Sequence, residues 1–171
     1  MEKIDWIKDL VRAEKQMEDS GLVELHSSFD PQRVLAFDSL QYLLKIKAEI
    51  VDSVSAFNEL KSSPVGRIKI YGIAKTHADF MLFRNGYKMI FTIKGPGQIG
   101  IRLNFIGASF MPSSGHMNPS MQETQNVIDE HILESSWGAF GEVIWTFKNQ
   151  PIKIDYMVRH FMSIFVKESS K

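Results

Sequence analysis

The stretch that decides the fold is residues 80–91, which reads Phe80-Met81-Leu82-Phe83-Arg84, then Asn85-Gly86, then Tyr87-Lys88-Met89-Ile90-Phe91. An Asn-Gly pair between two apolar runs is typical of a two-residue β-hairpin, because both turn positions need a positive φ that these residues tolerate. We therefore expect two antiparallel strands that meet at this turn.

The hairpin fixes the register of the two strands, and the register sorts their side chains onto two faces. With Arg84 opposite Tyr87, one face is apolar up to Arg84 at its end. Its large side chains are Phe80, Leu82, Met89 and Phe91. The other face mixes aromatic, apolar and charged side chains, namely Met81, Phe83, Lys88 and Ile90.

The same two-residue period continues on both sides of the hairpin. Residues 67–75 alternate as a strand, Gly95-Pro96-Gly97 forms a second turn, and residues 99–106 alternate again. Ile99, Ile101, Leu103 and Phe105 are predicted on the apolar face. The sequence thus predicts a four-strand antiparallel meander.

Helical patterns flank the meander. Residues 2–18 form an amphipathic pattern, and Asp30-Pro31 starts a helix that runs to about residue 60. The expected inward stripe of this second helix is Phe37, Leu40, Leu44, Val51 and Val54. After the meander we expect a helix over 119–134, a fifth strand over 142–147 and a helix over 153–168. Ile128 and Ile132 are predicted on the inward side of the first of these.

The predicted fold class is α+β. Two N-terminal helices are followed by a four-strand antiparallel meander, a helix, a fifth strand and a C-terminal helix. At 171 residues the chain fits a single α+β domain over 1–171.

The chain contains no cysteine, which excludes a disulfide scaffold, a thiolate metal site and a thiol nucleophile. Residues 1–6 are charged and lack an apolar segment, so we expect a cytoplasmic protein without a membrane span.

The strongest charge signal lies in the middle of the chain. Net charge is zero, yet residues 65–118 hold seven bases and only one acid, Asp79. Most of these bases fall on the mixed face of the sheet. The predicted binding residues are Arg67, Lys69, Tyr71, Lys75, Phe83, Lys88, Lys94 and Arg102.

The leading functional hypothesis is a non-enzymatic binding or interaction module that uses this basic mixed face. Its partner would be another protein, a second copy in a homodimer, or an anionic ligand. In a homodimer, acidic helices of one subunit would meet the basic sheet of the other. Single-stranded nucleic acid is an alternative, since bases stack on exposed aromatics while lysine and arginine neutralise phosphate.

A second alternative is a small-molecule site or an enzyme with a pocket near the loop 107–118. Its candidate residues are His77, Asp79, His116, Trp137 and Trp145. Histidine titrates near neutral pH, as acid–base catalysis requires. No catalytic, metal or cofactor signature supports a particular reaction. Residues 95–100 spell Gly-x-Gly-x-x-Gly but open a strand, so no helix N-terminus is available for a nucleotide phosphate.

Overall fold

A computed structural model of the chain describes residues 4–20, 30–106 and 127–171. The chain divides into two compact units, Met1–Val34 and Leu35–Lys171. The single-domain organisation over 1–171 stays a prediction.

The first unit contains α1 (Asp5–Ser20), which confirms the predicted N-terminal helix. Ion pairs join Lys8 to Asp5 and Arg12 to Asp9 one turn apart on its charged side. Four of its apolar side chains are nevertheless exposed, namely Trp6, Ile7, Leu10 and Val11, and so is Ile4 just before the helix.

The second helix, α2 (Pro31–Lys61), begins where the sequence predicts. The Asp30 carboxylate accepts a hydrogen bond from the backbone N–H of Gln32 at 3.1 Å and so caps the first turn. The helix ends before Ser62, whose φ of 54° is in the left-handed region.

The predicted stripe of α2 is partly wrong. Phe37 and Val51 are exposed, and the buried residues are Ser39, Leu43, Ile46, Ile50 and Val54. The stripe passes through Ser39 because a turn of the sheet approaches the helix there. The backbone N–H of Gly97 donates to Ser39 Oγ at 2.8 Å, and a larger side chain would keep the two apart.

Within the described ranges, seven strands form one antiparallel sheet in which every strand pairs with the next of these strands along the chain. Their bounds are β1 (Lys69–Gly72), β2 (Phe80–Arg84), β3 (Tyr87–Gly95), β4 (Gln98–Phe105), β5 (Val127–Trp137), β6 (Val143–Phe147) and β7 (Gln150–Pro151). The antiparallel sheet and the α+β class are as predicted. The strand count is larger, and the meander extends over the whole sheet.

The hairpin register is confirmed over residues 80–91, and the pairing predicted beyond them, to residue 77, is not formed. Arg84 pairs with Tyr87, and the ladder continues to Phe80 opposite Phe91. Asn85 and Gly86 have φ angles of 50° and 80°, as this turn requires.

The predicted helix over 119–134 is wrong for the residues that the structure describes. Residues 127–137 form β5, and residues 119–126 lie outside the described part. Ile128 and Ile132, predicted to be inward on a helix, are exposed on a strand. Their spacing fits both periods, and β4 needs a partner for its second edge, so sheet pairing decides the conformation. The predicted fifth strand is β6, and β7 was not predicted.

Helices α2 and α3 (Ile154–Glu168) pack on one face of the sheet, called here the helix face. Phe80 and Phe91 stack at 4.7 Å between ring centroids, next to Leu43, Ile46 and Phe165 in the core cluster.

The opposite face of the sheet carries no helix among the described residues of this unit. We call it the open face. It comprises Lys69, Tyr71, Met81, Phe83, Lys88, Ile90, Thr92, Lys94, Gly100, Arg102, Asn104, Glu130, Ile132 and Glu134.

Arg84 is the one base on the helix face of the hairpin, and it is buried. Its Nε donates to the Gly66 carbonyl at 2.7 Å, and one Nη donates to Val166 O, Ser169 Oγ and Ser170 Oγ. The guanidinium thus binds the C-terminal end of α3, where the helix dipole favours a cation.

Within the described residues, no helix is long and apolar enough to cross a membrane.

Candidate binding groove on the open face

The open face contains a groove of about 540 Å³. Its walls and floor come from β2, β3 and β4, from the last residue of β1 and from the two residues that follow β1. They are Gly72, Ile73, Ala74, Met81, Lys88, Ile90, Thr92, Lys94, Gly100, Arg102 and Asn104. The groove, called here the basic groove, therefore combines three cations with apolar side chains and one amide.

The sheet register places these groups. Met81 pairs with Ile90, and Ile90 pairs with Arg102, so an apolar strip across two strands leads to a guanidinium. One row along the strands, Lys88 lies opposite Asn104. An apolar floor with a few convergent polar groups is the usual composition of a ligand site.

Three charged side chains from three strands meet at one end of the groove. Lys94 Nζ and Arg102 Nη2 both lie 3.3 Å from the same oxygen, Oε1 of Glu130. All three side chains remain between a quarter and a half exposed. We call this group the Glu130 cluster.

The Glu130 cluster lowers the pKa of Glu130 below its ordinary value. Desolvation opposes the charged carboxylate, but hydrogen bonds from Arg102 and Lys94, with their positive charges, outweigh it. Glu130 is therefore ionised at neutral pH and partly neutralises the groove.

The absence of a side chain at Gly100 leaves the space that the Lys94 side chain occupies. A Cβ built at Gly100 would lie 2.5 Å from Lys94 Cε and 3.1 Å from Lys94 Cγ. The lysine side chain therefore lies across the bare backbone of β4 on its way to Glu130. Any larger residue at this position would push the side chain away.

Asn104 is buried in the groove wall, and its Oδ1 has no hydrogen-bond partner among the described residues. A buried acceptor without a partner costs about 1–3 kcal/mol, so such groups are rare in native structures. Because this residue lines the groove, a ligand with an N–H or O–H group can satisfy the amide oxygen once the side chain turns toward the groove.

The structure brings together some of the predicted binding residues. Lys88, Lys94 and Arg102 line the groove. Lys69, Tyr71 and Phe83 lie beside them on the open face, where Lys69 pairs with Phe83. Arg67 and Lys75 lie in the flanking segments instead, where they donate to the carbonyls of Ser63 and Ile93.

The residues of the alternative pocket lie elsewhere. His116 is outside the described residues. Asp79 is buried, and its Oδ1 accepts a hydrogen bond from the Ile93 N–H at 2.9 Å. Trp145 is in the core, while His77 and Trp137 are exposed. None of the four described residues lines the basic groove.

A smaller cavity of about 330 Å³ lies where β7 leads into α3. Phe147, Tyr156, His160 and Phe161 are among its lining residues. Behind it, His131 Nε2 lies 2.7 Å from Asp129 Oδ2, and the His131 ring packs against Phe147 and Phe161. The cavity is mainly apolar and carries no cluster of cations.

Sequence reasoning missed Glu130 as a site residue because it assigned residue 130 to a helix. The signal that could have found it is the alternation of residues 128–134. Read as a strand, that segment places Ile128, Glu130, Ile132 and Glu134 on one face. Asn104 and Arg102 were placed on the correct face by the same alternation.

The part of the chain that the structure describes contains no group of three or more histidine and carboxylate residues arranged to hold a metal ion. A search of protein-family models, of curated proteins and of solved structures found no match to this chain.

Proposed function

We propose that the protein is a non-enzymatic binding module and that the basic groove holds an anionic ligand. The observation that carries this proposal is the groove itself, an accessible concave surface with cations around an apolar floor. It lies on the sheet face that α2 and α3 leave uncovered.

The charges support an anion. Among the described residues, no ion pair occupies Lys69 or Lys88, and the Glu130 cluster contains two cations for one carboxylate. A concave surface lined by one sign of charge raises the local concentration of ligands of the opposite sign. The apolar floor of Met81, Ile90 and Ile73 favours a ligand that also has a flat or apolar part.

The test uses two polyanions that represent the open alternatives, a short oligothymidylate and polyglutamate. We expect at least one of them to raise the melting temperature, because a ligand that binds only the folded state stabilises it. The increase should shrink as salt is added, since salt screens the charges.

Matched double variants locate the binding. Lys88→Gln with Arg102→Gln should abolish the increase in melting temperature. Arg67→Gln with Lys75→Gln removes the same charge outside the groove and should leave the increase in melting temperature unchanged. The proposal would be contradicted if both double variants lost the increase in melting temperature equally. It would also be contradicted if neither polyanion changed the melting temperature of the wild-type protein.

A further inference from the structure

The Glu130 cluster has the geometry of an occupied anion site. One carboxylate oxygen lies 3.3 Å from a lysine ammonium and 3.3 Å from an arginine guanidinium. These are the two donors that proteins use to bind phosphate and carboxylate groups. Here the anion is supplied by the chain itself.

The contacts of Glu130 are weak enough to be exchanged. Its side chain is 40% exposed, and those of Lys94 and Arg102 are 33% and 28% exposed. Ion pairs that solvent can reach contribute little to stability. An incoming oxyanion therefore replaces one weak contact by a similar one, and Glu130 can turn outward from the edge of the groove.

Asn104 lies two residues from Arg102 on β4, so both side chains are on the open face. Alternate residues of a strand are roughly 7 Å apart. The unpartnered Oδ1 of Asn104 therefore marks a position for a hydrogen-bond donor two residues along β4 from Arg102.

We propose that the Glu130 carboxylate occupies the subsite for an oxyanion of the ligand, and that the ligand displaces it. The ligand carries a phosphate or carboxylate at one end and an N–H or O–H group for Asn104 at the other, with an apolar part between them over Ile90. This inference rests on the proposed function of the groove and names the chemistry of what it binds.

Two small molecules have this form, 4-hydroxybenzoate and 4-hydroxyphenyl phosphate, and they distinguish a carboxylate from a phosphate. Titrations followed by two-dimensional amide NMR should shift the signals of Gly100, Arg102 and Asn104. Benzoate and phenyl phosphate lack the donor and should bind more weakly. That difference should disappear in Asn104→Leu, which removes the amide.

The decisive comparison is between two substitutions on β5. Glu130→Gln should tighten binding about three-fold, the size expected from removing a competing exposed ion pair. Glu134→Gln removes the same charge from the same strand and face but not from the cluster, and it should leave the affinity unchanged. Gly100→Ala should weaken binding by displacing the Lys94 side chain, with the fold retained because the end of that side chain is flexible.

Each outcome decides the inference. If Glu130→Gln and Glu134→Gln changed the affinity for the probes equally, the change would be a general charge effect and the inference would be overturned. Absence of binding of both hydroxylated probes, with polyanion binding still dependent on Lys88 and Arg102, would overturn it and leave the groove function standing. If the polyanions also fail to bind, the proposed function falls as well.

Discussion

At the scale of the residue, Tyr42 shows how a buried polar group behaves without a partner. Its ring stacks on Trp145 at 4.7 Å between centroids, but its hydroxyl is buried without a hydrogen bond in the described structure. Burial and the nearby charge of Asp38 raise the pKa of Tyr42 to about 12. The phenol therefore stays neutral at physiological pH.

Tyr42→Phe removes the unsatisfied hydroxyl and keeps the stacked ring. We expect the free energy of unfolding to stay the same or to rise by about 1 kcal/mol, because the desolvation cost of the hydroxyl is removed. Trp145→Phe is the contrasting variant. It loses the 2.7 Å hydrogen bond from Nε1 to Asp38 and should be destabilised by about 2 kcal/mol. Urea denaturation measures both, and a large loss of stability in Tyr42→Phe would contradict the account of Tyr42.

At the scale of the element, the Glu130 cluster joins three strands, β3, β4 and β5. The groups that face Glu130 are the ammonium group of Lys94 and the guanidinium group of Arg102. Because the folded pKa of Glu130 is lowered, its contribution to stability is present above its ordinary value of 4.5. The contribution is lost as the pH falls through the lowered value.

We therefore expect the wild-type protein to be slightly more stable than Glu130→Gln at neutral pH, by less than about 1 kcal/mol for a cluster this exposed. The difference should shrink in acid. Urea denaturation of both proteins at neutral and acidic pH measures this, since the other carboxylates cancel in the comparison. A difference that does not change with pH would argue against the ion pairing.

The elements also show which parts of the fold a sequence can predict. The hairpin could be predicted because Asn85 and Gly86 determine the turn locally. Strand β5 was ambiguous, because the spacing of Ile128 and Ile132 fits a helix as well as a strand, and pairing with β4, more than twenty residues away in sequence, decides between the two. The basic residues of the groove followed from strand alternation. Glu130 and the path of Lys94 over Gly100 depend on the register of β5 and on packing, which the sequence pattern does not give.

At the scale of the whole molecule, the open face is divided by charge. The bases lie on β1, β3 and β4, and the acids Glu130 and Glu134 lie on β5 beside the exposed side chain of Ile132. A two-fold axis can place the basic half of one copy against the acidic half of another. The sequence predicts a homodimer in which acidic helices meet the basic sheet; here the acids of the open face lie on strand β5 instead, and the homodimer stays a prediction.

Sedimentation velocity over a range of concentrations tests the homodimer. We expect a dimer that Ile132→Asp dissociates, because the substitution adds an unpaired charge in the middle of the open face. Phe140→Asp is the control, since Phe140 is 97% exposed in the turn between β5 and β6. A monomer at every concentration would show that the homodimer prediction is wrong. A dimer through this face would also be weakened by the groove probes.

The hydrogen bonds of Arg84 have a consequence for synthesis of the chain on the ribosome. The guanidinium of Arg84 belongs to the hairpin of β2 and β3, but three of its acceptors lie 82 to 86 positions further along the sequence. Until Ser170 has left the exit tunnel, the emerging hairpin carries a cation on its apolar face with few partners for it. Strands β2 and β3 can pair early, yet the mature core can close only after translation has passed this point.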